Sequence, residues 1–144
     1  SARALSASAD VVALNTVGIE AGRGYDAAGV VRLLSKASAI DKNVTGLSTL
    51  LGRALLDAGD APRALQVLEP RAARLPRPDA WLLFTIGEAR QRVGRNADAV
   101  EAWRRARATL GEDRRLPHFK TGPLAAEVKR RQDELAALLD ERLK

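Results

Sequence analysis

The side chains able to do acid–base or metal chemistry are few in this chain, and they are poorly grouped for it. His118 is the sole histidine, set between Pro117 and Phe119, and there is no cysteine. One histidine without thiolates does not make a zinc site, although carboxylates could still hold a harder ion. The acidic pairs Glu112-Asp113 and Asp133-Glu134 read as solvated loop and helix surface. Serine and aspartate are available, but no Gly-x-Ser-x-Gly elbow presents a serine nucleophile. The glycines are not gathered into a phosphate-cradling loop. The sequence is therefore read as non-catalytic, with no catalytic residue, no metal and no cofactor assigned.

Anion binding is the other chemistry in view. The net charge is +6, and it is unevenly placed: residues 1–69 carry seven basic and seven acidic groups, the remainder 17 and 11. Arg90, Arg92, Arg95, Arg104, Arg105, Arg107, Arg114 and Arg115 cluster there, and Lys129-Arg130-Arg131 follows. A nucleic-acid-binding alternative would rest on Arg104, Arg105, Lys129, Arg130 and Arg131 neutralising phosphates. Against it, Glu88, Asp98, Glu101, Glu112 and Asp113 interrupt the field. Trp103 is the one aromatic in the basic segment, and its place in the pattern described below demands burial rather than base stacking. A solvated basic surface is the favoured reading, and nucleic acid is not the expected partner.

The elements that would position these groups are helices. Apolar residues make up 46% of the 144 positions but aromatics only 3%, so the core is built from Ala, Leu and Val. Ala and Leu favour helix, and β-branched residues are not enriched, so the class is all-α. Gly18, Gly52 and Gly87 lie 34 and 35 residues apart, each inside a helical run. Leu51-Gly52 is followed by Gly59-Asp60 and Ala64, and Ile86-Gly87 by Gly94-Arg95 and Ala99. Such a period marks a helix-turn-helix solenoid, whose units bury their apolar faces by stacking.

Three hairpins and a final helix are predicted in one domain spanning 1–144. The first occupies about 8–40. The second, about 44–76, turns at Gly59-Asp60-Ala61-Pro62, with Asp60 as cap. The third, about 79–111, starts on Asp79 as cap and turns at Gly94-Arg95-Asn96, with Asn96 as the second cap. Residues 112–122 read as a polar loop, and Gly111 also as non-helical. The last helix, about 123–143, opens at Thr121 and Pro123 and carries Leu124, Val128, Leu135, Leu138, Leu139 and Leu143 on one face.

These residues resemble the tetratricopeptide repeat family. Leu83, Ile86 and Gly87, Gly94 at the turn, and Ala99, Trp103 and Ala106 match its large and small places in the third unit. Leu51, Gly52, Leu55, Gly59, Ala64, Leu68 and Pro76 match in the second. Arg90, Gly111, Ser48 and Arg71 depart from the pattern, and the first unit matches only through Val17-Gly18 and Ala27 or Ala28. The resemblance implies a right-handed α-solenoid of about three units plus a C-terminal solvating helix. It also implies that first helices line a concave face where partner peptides dock.

On that face steps of three and four trace Trp81, Phe84, Glu88 and Gln91 in the third unit. One repeat earlier the same steps give Thr49 and Arg53, and one earlier again Asn15 and Ile19. These eight are the candidate partner-binding residues, with Trp81 and Phe84 as an apolar platform and Arg53 and Asn15 as grips for a carboxylate or peptide carbonyl. Both aromatics also have a packing reading as core.

The expected function is a protein-interaction scaffold binding another protein or peptide segment, monomeric or weakly dimeric. A homo-oligomerisation alternative places Leu124, Val128, Leu135, Leu139 and Leu143 in a dimer seam. No stretch nears the roughly 20 apolar residues of a membrane span. Absence of methionine suggests a processed product or part of a longer chain, heavy Arg and Ala usage suggests a bacterial source, and absence of cysteine leaves cytosol and periplasm equally open.

Overall fold

Glycine and its neighbours decide how this chain turns back on itself. The computed structural model of the protein describes residues 27–40, 47–116, 122 and 124–144. It contains the helices α1 (Ala27–Ile40), α2 (Leu47–Asp57), α3 (Ala61–Arg74), α4 (Ala80–Arg92), α5 (Asn96–Arg115) and α6 (Ala125–Arg142). No strand occurs among the described residues, so the all-α class holds. The chain divides into two compact units between Arg71 and Ala72, in the last turn of α3.

In the first unit α2 and α3 form a hairpin. Gly59 sits at φ +84°, a conformation that costs glycine little and other residues much. It ends α2 with a tight pair of bonds, Gly59 N–H to Leu56 O at 3.0 Å and Asp60 N–H to Leu55 O at 2.8 Å. Asp60 then caps α3, its Oδ1 accepting from Arg63 N–H at 3.2 Å. Midway along, Gly52 faces Leu68: a Cβ there would lie 2.5 Å from Leu68 Cδ2. The missing side chain is what lets the helices approach. Pro70 stands inside α3 and supplies no N–H to the turn before it, an interruption four residues before the helix ends.

The second unit repeats this device 35 residues later. Gly94 takes φ +85°, donates to Gln91 O at 3.0 Å, and Arg95 N–H donates to Arg90 O at 2.8 Å. Gly87 faces Trp103 as Gly52 faces Leu68, and a Cβ at Gly87 would lie 2.5 Å from Trp103 Cδ1. Leu83, Phe84, Trp103, Leu110, Leu135 and Leu139 make the core of this unit, so α6 docks on its own hairpin. Burying side chains of this size contributes about 1.5–3 kcal/mol each.

Two expectations need correction. Asn96 does not cap α5. Arg95 holds that position, makes no side-chain capping bond, and its guanidinium turns to Asp98 at 3.1 Å. Nor does α5 stop near Gly111. It continues to Arg115 because Gly111 keeps a helical backbone and the extra turn is clasped from outside. Arg77 reaches Glu112 at 2.9 Å and Asp113 at 3.0 Å, and Arg114 pairs with Asp133 on α6. Thr121 and Pro123, proposed to open the last helix, lie outside the described residues, as does the whole of the first hairpin before Ala27.

Candidate functional site

The site begins with the start of α4. Asp79 Oδ1 accepts from Leu82 N–H at 2.8 Å, which fixes the first turn and with it the position of Trp81. Thr85 adds a bond from its hydroxyl to Trp81 O at 2.8 Å. Trp81 and Phe84 meet edge to face, with ring centroids 6.0 Å apart and planes at 85°. Their exposures differ. Phe84 is 2% exposed, whereas Trp81 is half-buried and keeps part of its ring at the surface.

The Arg131 guanidinium, from α6, lies 5.7 Å from the Trp81 ring centre. This is within the range in which the negative face of an aromatic ring attracts a cation. Beside the stack opens a cleft of about 200 Å³. Ala80, Leu110 and Leu135 form its buried part, and Trp81 and Val128 its half-exposed walls. Asp79, Asp113, Arg131 and Gln132 supply the polar lining.

The traced face is not continuous. On α4 the residues Leu82 to Ala89 are all buried, as expected of a helix surrounded by apolar contacts. Phe84 therefore belongs to the core, and Glu88 is only 7% exposed. Glu88 is held by Arg142 from the end of α6, Nε to Oε1 at 2.7 Å and the second nitrogen to Oε2 at 3.4 Å. The bonded carboxylate holds the Arg142 guanidinium above its ordinary range against the opposing effect of burial. Trp81 and Gln91 are the parts of that face that reach solvent. On α2 the corresponding Thr49 is half-buried and Arg53 exposed, the latter 3.6 Å from Asp57 in a surface ion pair. Asn15 and Ile19 lie outside the described residues.

The basic residues separate into two groups. Lys129 pairs with Asp133 at 2.9 Å and Arg130 with Glu127 at 2.5 Å. The Lys129 hydrogen bond keeps the Asp133 carboxyl below its usual range, and the Arg130 bond does the same for Glu127. Arg104 and Arg105 are exposed and form no ion pair among the described residues. Trp103 is 3% exposed and packed on Gly87, so it offers no stacking surface. No group of three His, Cys, Asp or Glu side chains stands together among the described residues, and His118 lies outside them.

Sequence reasoning missed Arg142, Arg77 and the pairing of Arg131 with Trp81. A signal for the first existed. Glu88 sits in an apolar run, and a carboxylate buried there requires a cation. What the sequence does not supply is which cation, since the pair spans 54 positions.

The described residues are all-helical apart from their turns, and two of their helix pairs, α2–α3 and α4–α5, share one hairpin design. No family model matches the chain, and neither the curated proteins nor the solved structures searched contain a match. No helix of the described residues is long and apolar enough to cross a membrane.

Proposed function

We propose that the chain is a non-catalytic protein-interaction module of tetratricopeptide-like hairpins belonging to an α-solenoid. The observation that supports this is the recurrence of one hairpin design at an offset of 35 residues, down to the bonds of the turn. Gly59 and Gly94 share φ, the bonds to Leu55 O and Arg90 O correspond, and each inner glycine admits one large side chain, Leu68 or Trp103. Repeated units of this kind make extended surfaces rather than catalytic pockets. The accessible candidates on those surfaces are Thr49 and Arg53 on α2, and Trp81 and Gln91 on α4.

The nucleic-acid alternative loses two of its five residues to local pairing, because Lys129 and Arg130 already face carboxylates. The dimer-seam alternative loses Leu135 and Leu139, which are buried within their own unit.

The test is affinity capture by the immobilised chain from lysate, run beside Trp81→Ala, Arg53→Ala and Arg104→Gln/Arg105→Gln, with titrations of single-stranded RNA and duplex DNA. Protein partners lost on changing Trp81 or Arg53, at unchanged helicity, support the module. Nucleic-acid binding that weakens steeply with salt and with loss of Arg104 and Arg105 would replace it.

A further inference from the structure

The cleft beside Trp81 deepens this reading, and its size narrows the occupant first. Small-molecule sites usually occupy about 300–1,000 Å³, and this cleft has about 200 Å³. An apolar cavity of roughly 150 Å³ is enough for a benzene ring. The space therefore suits one aromatic or large aliphatic side chain, and is too small for a nucleotide or a cofactor. Its buried part is apolar throughout, formed by Ala80, Leu110 and Leu135.

The polar groups at the opening narrow it further. Asp79 is committed to the Leu82 N–H, and Asp113 to Arg77. Arg131 is exposed, lies over the Trp81 ring and forms no ion pair within 4 Å among the described residues, although its charge helps hold the Glu127 carboxyl below its usual range. Of the charges around the cleft, the one open to a newcomer is thus positive. A guanidinium held against an aromatic ring can still turn its N–H edge to a carboxylate, and Trp and Arg dominate peptide-binding hot spots.

We propose that this cleft binds a partner peptide through one large apolar side chain, with a neighbouring Asp or Glu carboxylate of the same peptide gripped by Arg131. The proposal rests on the interaction-module reading and gives that module its ligand chemistry. Lysine or arginine beside the apolar anchor is disfavoured by the same guanidinium.

The experiment selects binders to the intact chain from a displayed library of random short peptides. It then titrates synthetic copies while following the indole N–H resonance of Trp81, assigned through Trp81→Phe. The expected peptides carry Phe, Trp or Leu next to Glu or Asp, and they shift the Trp81 signal. Arg131→Gln is expected to weaken them about ten-fold, the loss of one charge-assisted hydrogen bond. Val128→Trp, which fills the cleft, is expected to abolish binding. Exchange of the peptide's Glu for Gln should match the Arg131→Gln loss and add nothing to it.

Selected peptides indifferent to both variants would overturn the cleft while leaving the interaction module standing on the Thr49–Arg53 surface. A library that yields no binder would overturn both. A Trp81 shift that follows protein concentration alone would put a second copy of the chain in the cleft and overturn the peptide assignment.

Discussion

The α2–α3 and α4–α5 hairpins are built alike and surrounded differently. Each turns on a glycine at positive φ and closes on an inner glycine beneath a large side chain. Yet Arg53 is exposed, while Glu88, the residue 35 positions on, is buried against Arg142. Thr49 is half-buried where its counterpart Phe84 is core. The hairpin's internal geometry is fixed by short-range packing and does not decide which face meets solvent. In the second unit α6 contributes to that decision by placing Leu135 and Leu139 in one core with Phe84 and Arg142 on Glu88, while the Trp81 end stays partly open.

The comparison breaks most completely where α6 is removed from its seat. Leu139→Ala deletes a side chain with no exposure and is expected to cost about 2–5 kcal/mol in urea unfolding. An equal loss from Leu33→Ala, on a side chain 44% exposed in α1, would show that α6 docking carries no special weight.

Next come the inner glycines. Gly87→Ala drives a Cβ into the flat, wedged indole of Trp103, and about 1–3 kcal/mol is expected to be lost. Gly52→Ala meets both methyls and the Cγ of Leu68, so that whole side chain must swing aside, which a flexible leucine does more readily than a flat indole, and alanine improves helix propensity by roughly 0.5–1 kcal/mol. The second change should therefore cost clearly less. Equal melting shifts for the two would refute the distinction between a rigid and a yielding neighbour.

Arg142→Ala leaves the buried Glu88 carboxylate without its cation, for an expected loss of about 1–3 kcal/mol. Arg53→Ala, at the position equivalent to Glu88, should stay within about 0.5 kcal/mol, because its pair with Asp57 is exposed. The caps give a smaller contrast. Asp79→Ala should cost about 1 kcal/mol, and Arg95→Asn should add a few tenths to 1 kcal/mol by supplying the cap that α5 lacks. Chemical denaturation midpoints would read both.

The smallest effect is that of pH. Glu127 and Asp133 have carboxyls lowered below their usual range by bonds to Arg130 and Lys129. Their contribution is complete above the ordinary carboxylate range and disappears as pH falls through the depressed values. Both are exposed, so acid melting of Glu127→Gln/Asp133→Asn should differ little from the parent, with the gap closing as the pH falls. A gap that widened on acidification would contradict the sign.

Much of this structure is written locally. Asp79 as cap, Gly59 and Gly94 as turns, and the meeting of small and large residues at Gly52–Leu68 and Gly87–Trp103 follow from residue type and spacing, because each contact closes within one hairpin. Two local readings failed where the deciding group lay elsewhere. Gly111 looks like a helix end, but Arg77 and Asp133 clasp the turn that follows it. Asn96 looks like a cap, but the turn places Arg95 there.

The face of α4 was legible as a face, not as covered or open. Periodicity assigns Trp81, Phe84, Glu88 and Gln91 to one side of a helix, and that is a property of the helix alone. Which of them is buried depends on where α6 returns after the intervening chain. That is a matter of long-range packing, in which Leu135 and Leu139 join Phe84 in one core while Arg142 meets Glu88. Sequence by itself determined the repeat, its turns and its helices, since these arise from backbone preferences and neighbours a few residues apart. Tertiary structure alone decided the buried ion pair, the cation over Trp81 and the cleft beside that ring, since these exist only when helices distant in sequence are brought together.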